Sequence, residues 1–266
     1  MKTGIQHILG AIMVLLISGT MPFEIKAQEN QTKVLRDMKG VKVLFVLSGH
    51  PVKGKTGKPT GWYLSEAAHP WKVLHDEGIE VDFLSAKGGR PPVDGFNLED
   101  PVNKEFWENP EIQKKLENTL TPAQVNIGDY SAIHFVGGHG AMWDLTENSE
   151  IARLAGEMYD NNGIVAAVCH GPAGLVNVKL KDGSYLVSGK TVAAYTNAEE
   201  EAGGMTDVVP FLLETKLKEH GATHIAAPNR TENVQVDDRL ITGQNPASAK
   251  LVGLKILELL KSQPAY

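Results

Sequence analysis

The chain has 266 residues, 42% hydrophobic and 22% charged, which is enough apolar material for a sizeable core and excludes a disordered chain. Its net charge is −6 with a pI near 5.9, and no basic block is interleaved with aromatic residues, so nucleic acid is not an expected partner. The single cysteine, Cys169, excludes an intrachain disulfide, and no Cys/His cluster has the spacing of a structural zinc site, so no metal is expected.

Residues 1–27 read as a signal peptide. Lys2 supplies the positive start, residues 8–17 the apolar stretch and Ala27-Gln28 the cleavage point. That stretch is short for a bilayer span. The expectation is therefore an exported protein, periplasmic or secreted, with no stable membrane span after cleavage; an uncleaved anchor is the alternative. Polar residues 28–40 read as a flexible lead-in to one domain over 41–266.

Strand and helix signals then alternate. Residues 41–47 form a buried strand, 50–61 a Gly/Lys/Pro-rich loop, 64–77 a helix and 80–85 a second strand. A third strand over 132–136 ends in Gly137-Gly138-His139-Gly140. An amphipathic helix over 147–161 leads to the apolar strand 163–168, which delivers Cys169. A short strand at 192–195, a helix at 206–220, a hairpin of 234–236 with 239–242 about Asp237-Asp238, and a closing helix at 246–261 complete the chain. Repeated βα units with continuous apolar strands predict an α/β fold, a parallel sheet covered on both faces. Residues 88–130 are too long for a plain connection and predict an inserted cap. It is either a lid that shapes and dries a pocket or a surface decoration.

Cys169 sits where a strand turns into small residues, His170-Gly171-Pro172-Ala173-Gly174. A nucleophile on such a turn is exposed at the sheet edge, and a helix N-terminus behind it favours thiolate. The alternative is an inert core cysteine. Ligands of open parallel sheets bind beyond the strand C-termini, where the turn at Gly137-Gly138 also lies. Gly138 and the N–H of His170 are candidate oxyanion donors, and His139 is a candidate for lining the site. Glu66, early in the first helix, is either a surface residue stabilising the helix dipole or a carboxyl held near the sulfur. His50, His69, His134, His220 and His224 read as ordinary surface or packed residues. Trp62-Tyr63 reads as packing or pocket wall. Asn245 to Ser248 cap the last helix and support the site from behind.

Three segments, Gly137-Gly138-His139-Gly140, Ala166-Ala167-Val168-Cys169-His170-Gly171-Pro172 and Thr242-Gly243-Gln244-Asn245-Pro246-Ala247-Ser248, together resemble the ThiJ/PfpI superfamily. The superfamily is related to class I glutamine amidotransferase domains. The segment Thr60-Gly61-Trp62-Tyr63-Leu64-Ser65-Glu66, with His69-Pro70, is similar to the branch of glutathione-independent glyoxalases and heat-shock chaperones. The resemblance runs from Val41 to the C-terminus. It implies a flavodoxin-like fold with a nucleophile elbow, Cys169 as nucleophile and His170 beside it. It further implies that Glu66 hydrogen-bonds the sulfur and that an acid after the next strand orients His170; counting places that acid at Glu200, with the neighbouring Glu199 and Glu201 as alternatives. The implied substrate is a small 2-oxoaldehyde such as methylglyoxal, converted without cofactor, metal or glutathione to a 2-hydroxy acid, D-lactate in this branch; a homodimer is implied as well. The open alternatives are another cysteine hydrolase (deglycase, amidase or peptidase), a holdase chaperone and a redox sensor.

Overall fold

The computed structural model describes residues 38–263, so the expected signal peptide and all of the lead-in but its last residues lie outside the described residues. Those last residues belong to the fold: Met38 is buried and its carbonyl accepts the N–H of Val41 in a turn that starts the first strand.

Strand β1 (Lys42–Leu47) is followed by a loop that carries the short strand β2 (Trp62–Tyr63) into helix α1 (Leu64–His75). Strand β3 (Glu80–Ser85) returns beside β1. The long segment after it holds β4 (Val93–Asp94), α2 (Pro101–Glu108) and α3 (Pro110–Glu117), and leads to β5 (Ala132–Phe135). Then come α4 (Ala141–Asp144), α5 (Ser149–Asp160) and β6 (Ile164–Val168). The last part contains β7 (Thr191–Val192), α6 (Asn197–Ala202), α7 (Leu213–Glu219), β8 (Thr223–His224), the hairpin β9 (Val234–Asp237) and β10 (Leu240–Gly243), and α8 (Ala249–Ser262).

The main sheet has the order β3-β1-β5-β6-β10-β9, parallel throughout except for β9. This is the doubly wound, flavodoxin-like arrangement. Side chains alternate across it, so the apolar runs feed two cores. Leu44, Val46, Ile133, Phe135 and Val165 face Ile151, Leu154 and Met158 of α5 on one side. Phe45, Leu47, Ala166 and Val168 face Leu64, Ala67 and Trp71 of α1 and Val252, Ile256 and Leu260 of α8 on the other. Each such large side chain contributes about 1.5–3 kcal/mol on burial. Two covered faces explain why these strands read as continuous rather than alternating apolar runs.

Three boundaries differ from the sequence expectation for local reasons. The helix expected over 206–220 begins only at Leu213, because Pro210 cannot sit in a helix interior. The strand expected at 192–195 is reduced to β7, which pairs with β8 outside the main sheet. The hairpin turn falls one residue later, at Asp238-Arg239, with Asp238 at φ +56°.

Residues 88–130 do not form a lid over the Cys169 turn. Asp100 and Asn109 each cap a helix that opens with proline, accepting two backbone N–H groups apiece. Helix α3 and the residues after it run along β3, where Lys115 Nζ donates to the carbonyl of Val81 and the Leu120 N–H to that of Phe83, both at 2.8 Å. The segment covers an edge strand that would otherwise be open, and through β4 it pairs with β2. Among the described residues no helix is long and apolar enough to cross a membrane.

Candidate active site

Cys169 is the first residue after β6 and lies in the left-handed region at φ +59°. L residues avoid that region at a cost of about 1–2 kcal/mol. Here two bonds impose it: the Cys169 N–H donates to the carbonyl of Gly243, and its carbonyl accepts the N–H of Tyr195, both at 2.9 Å. The strand therefore ends in a sharp elbow at the C-terminal sheet edge. The element behind it is a 3-10 turn of five residues, Gly171–Leu175, rather than a full helix. Support for a thiolate thus comes less from a helix dipole than from individual N–H groups. Burial and the carboxyl of Glu66 push the Cys169 thiol well up, while the N–H groups of His170 and Gly138 donate to the sulfur and pull it down. The sequence offers the same two N–H groups as oxyanion donors; in the structure they meet the sulfur.

Glu66 comes from the first turn of α1 and is fully buried, which settles it as a core carboxyl rather than a surface one. Burial raises its pKa to about 8, against weaker lowering by the Cys169 thiol and the Gly137 N–H. Neither carboxyl oxygen meets a protein donor in good hydrogen-bond geometry. At neutral pH Glu66 keeps its proton and can share it with the sulfur. Gly137 and Gly138 make room for this. A Cβ on Gly137 would strike Glu66 Oε2 and come within 2.5 Å of the Val168 carbonyl, and Gly138 sits at φ +100° against the backbone of Gly61. Gly137→Ala is accordingly expected to cost about 1–3 kcal/mol of stability through overpacking and to displace Glu66 from the sulfur. A denaturant midpoint equal to wild type would contradict the close approach.

His170 is fully buried and faces the sulfur with Nδ1, at 3.3 Å from Sγ. Its Nε2 lies 2.9 Å from Glu200 Oε2, and Nε2 of His139 lies 2.9 Å from Glu200 Oε1. Burial alone would raise the Glu200 carboxyl, but hydrogen bonds from His139 and His170 overcome it and hold the group at about 2. An ionised carboxylate only accepts, so both imidazoles carry their proton on Nε2. That leaves the lone pair on His170 Nδ1 aimed at the thiol. Burial, then the neighbouring His139, push His170 down to about 4, which keeps the ring neutral and basic. His139 lines the site as expected, but its Nε2–H is committed to Glu200 rather than to an oxyanion. One ligand atom each of His139, His170 and Glu200 lies within 4.8 Å of the others, the spacing of a two-histidine, one-carboxylate cation site. A cation there would have to displace both Nε2 protons from Glu200.

The three consecutive glutamates have separate fates. Glu199 is buried and satisfied by donors from Thr196, Arg230, Gln244 and Asn245. It completes a capping box with Thr196 at the start of α6. Glu200 faces the histidines, and Glu201 is exposed. The Thr196-Asn197-Ala198-Glu199 spacing is a readable capping signal that distinguishes Glu199 from Glu200.

Cys169, His139 and His170 open onto a cavity of about 370 Å³, walled by Tyr63, Tyr195, Arg230, Asn245 and Pro246 among others. No residue of 88–130 lines it. Tyr195 and Arg230 were not legible as site residues: they come from connections whose path only the fold defines. His134 is also more than a packed histidine. Pro70 removes the N–H that would bond the Glu66 carbonyl within α1, and His134 Nε2, on β5, donates to that carbonyl at 3.3 Å. Burial pushes His134 down to about 4, so it stays neutral in this role.

Fold and site together define a flavodoxin-like α/β protein with a cysteine on a strained elbow and a histidine–carboxylate pair beside it. The chain belongs to the DJ-1/PfpI family, whose model matches residues 60–259. It is 32% identical over 239 residues to the glutathione-independent glyoxalase HSP31 of Saccharomyces cerevisiae, spanning 83% of this chain and 98% of the relative. Among solved structures it resembles the Rapid Encystment Protein 24 KDa of Francisella tularensis, with a TM-score of 0.80 at 38% identity over 83% of this chain and 99% of the other. It also resembles glyoxalase III of Candida albicans, with a TM-score of 0.76 at 28% identity over 82% and 96% of the two chains.

Proposed function

We propose that the protein is a cysteine-dependent glyoxalase that converts 2-oxoaldehydes such as methylglyoxal to 2-hydroxy acids, D-lactate in that case. The observation that carries this reading is the contact of Cys169 Sγ with His170 Nδ1, on an imidazole oriented by ionised Glu200 at the floor of a cavity. The kinship with glutathione-independent glyoxalases supports it.

The Cys169 thiol passes its proton to His170 Nδ1 as the sulfur attacks the aldehyde carbon, and the imidazolium hands that proton to the alkoxide oxygen, which gives a neutral hemithioacetal and a neutral His170. As the C–S bond forms, negative charge moves from sulfur to oxygen, within reach of the Gly138 and His170 N–H groups. His170 Nδ1 takes the proton from the former aldehyde carbon and returns it to the adjacent carbon through an enediol. The first carbon is oxidised by two electrons and the second is reduced by two, so no external redox partner enters. The product is a thioester. Water hydrolyses it, releasing the 2-hydroxy acid and regenerating the thiol. Glu66 is fully buried and is not part of the cavity lining, which suits its protonated carboxyl to donate to the sulfur and leaves carbon proton transfer to His170. No glutathione is needed, because the enzyme's own thiol forms the hemithioacetal. Purified protein given methylglyoxal without glutathione is expected to form D-lactate, and Cys169→Ala none. Absence of lactate from folded, reduced protein would overturn the reading.

A further inference from the structure

The cavity above Cys169 holds one cation whose purpose the isomerisation of methylglyoxal does not explain. The described chain has four arginines: Arg90, Arg153, Arg230 and Arg239. Arg90 bonds Gln113 and Glu117, Arg153 bonds Glu157, and Arg239 bonds the carbonyls of Tyr159 and Gly163. Among the described residues, Arg230 alone has a guanidinium with no hydrogen bond, ion pair or ring partner, and it lines the Cys169 cavity. Its charge is felt by the Tyr195 hydroxyl in the same wall.

The position of Arg230 is built rather than incidental. The residue sits in the left-handed region at φ +62°, a costly conformation for a long side chain. Its N–H is held at 2.8 Å by Glu199 Oε1, and Glu199 is only 2% exposed. The same carboxylate oxygen accepts Asn245 Nδ2 at 2.9 Å, and that nitrogen also donates to the carbonyl of Thr231, so Asn245 braces the segment that carries Arg230. The two acidic groups nearest the cavity are already engaged, Glu199 by the donors named above and Glu200 by His139 and His170. Arg230 is exposed yet lines the cavity, and its unpartnered guanidinium is left available to an anionic group of a ligand. The cavity, at about 370 Å³, lies in the range of about 300–1,000 Å³ that suits ligands larger than the smallest 2-oxoaldehydes.

We infer that the preferred substrate is a 2-oxoaldehyde bearing a carboxylate tail, with Arg230 binding the tail while the aldehyde meets Cys169. This rests on the glyoxalase reading above. The planar guanidinium offers a paired set of donors that fits a carboxylate. A probe of this class is 4,5-dioxopentanoate. Its aldehyde carbon becomes a carboxylate and its ketone carbon a carbinol, and with one water the product is 2-hydroxyglutarate. The neutral comparison is 2-oxopentanal.

The test is kcat/KM for both probes in the full chain and in Arg230→Gln and Arg230→Lys. Wild type is expected to favour the anionic probe by about tenfold or more, the worth of one charge-assisted hydrogen bond. Arg230→Gln is expected to abolish the preference through KM, and Arg230→Lys to retain part of it. No preference in wild type, or an equal loss for both probes in Arg230→Gln, overturns the inference while leaving a glyoxalase. If neither probe is turned over, the glyoxalase reading fails, and the anion site is judged by binding alone. In that arm 2-hydroxyglutarate is compared with 2-hydroxypentanoate for slowing alkylation of Cys169 by iodoacetamide. Stronger protection by the dianion that disappears in Arg230→Gln supports the site, and equal protection overturns it.

Discussion

Glu66→Gln is expected to make the protein more stable and less active at the same time. The wild-type carboxyl is fully buried, finds no well-placed donor, and has a pKa raised from 4.5 to about 8. Between those two values the folded state holds a proton that the unfolded chain has already released. The stability that this proton represents is complete below about pH 4.5 and is lost as pH rises towards 8. By linkage the loss reaches about 5 kcal/mol above pH 8, an order-of-magnitude figure for a buried group. Glutamine fills the same volume without an ionisable proton, though its amide must still be buried. A net gain of about 1–3 kcal/mol at pH 8.5, shrinking to nothing near pH 4.5, is the expected result in denaturant melts. Turnover should fall by about 10²–10⁴-fold, because the sulfur loses its proton partner. The pH profile should change as well. Wild-type activity is expected to decline above about pH 8, as ionised Glu66 begins to repel the thiolate, and the glutamine variant should lack that limb. A variant less stable than wild type at pH 8.5, with turnover intact, would show that Glu66 is an ordinary core residue.

Much of this arrangement is legible in the chain, and the reason is physical. Strands covered on both faces must be apolar at every position, so β1, β5 and β6 stand out as unbroken runs. The glycines at 137 and 138 and the Cys169-His170-Gly171-Pro172 turn are constrained by close backbone approach, which leaves few residue choices and so a readable motif. What escapes the sequence is placed by contacts between distant segments. Residues 88–130 carry two proline-opened, Asx-capped helices that can be read locally, but only the sheet shows that they cover the edge strand β3 instead of the cavity. Arg230 lies in a loop of polar residues, and nothing in its neighbours announces that buried Glu199 grips its amide. His134 looks like one polar residue in an apolar strand until α1 is laid across β5. The one local clue was Pro70, four residues after Glu66 in a helical run, which signals a carbonyl in need of a donor.

That clue leads to a second large effect, on His134. In α1 the Glu66 carbonyl has no partner at position 70, since proline carries no N–H. His134 Nε2 supplies the missing donor at 3.3 Å, while its Nδ1 has no partner of its own. The ring is wholly buried, edge-on to Phe45, and kept neutral by burial. It therefore pins the backbone of the residue whose carboxyl attends the sulfur. His134→Leu is expected to leave a buried carbonyl unsatisfied, at a cost of about 1–3 kcal/mol, and to lower kcat about tenfold or more as Glu66 loses its register. Pro70→Ala returns an N–H to the helix at the one place it is missing. The single Pro70→Ala variant should stay close to wild type. Combined with His134→Leu it should recover most of the lost stability and turnover, because the helix's own bond replaces the histidine's. A purely space-filling role for His134 predicts the opposite: the two substitutions would add, and the alanine would rescue nothing. The coupling in this double-mutant cycle, read in both denaturant midpoint and kcat, decides between the two roles.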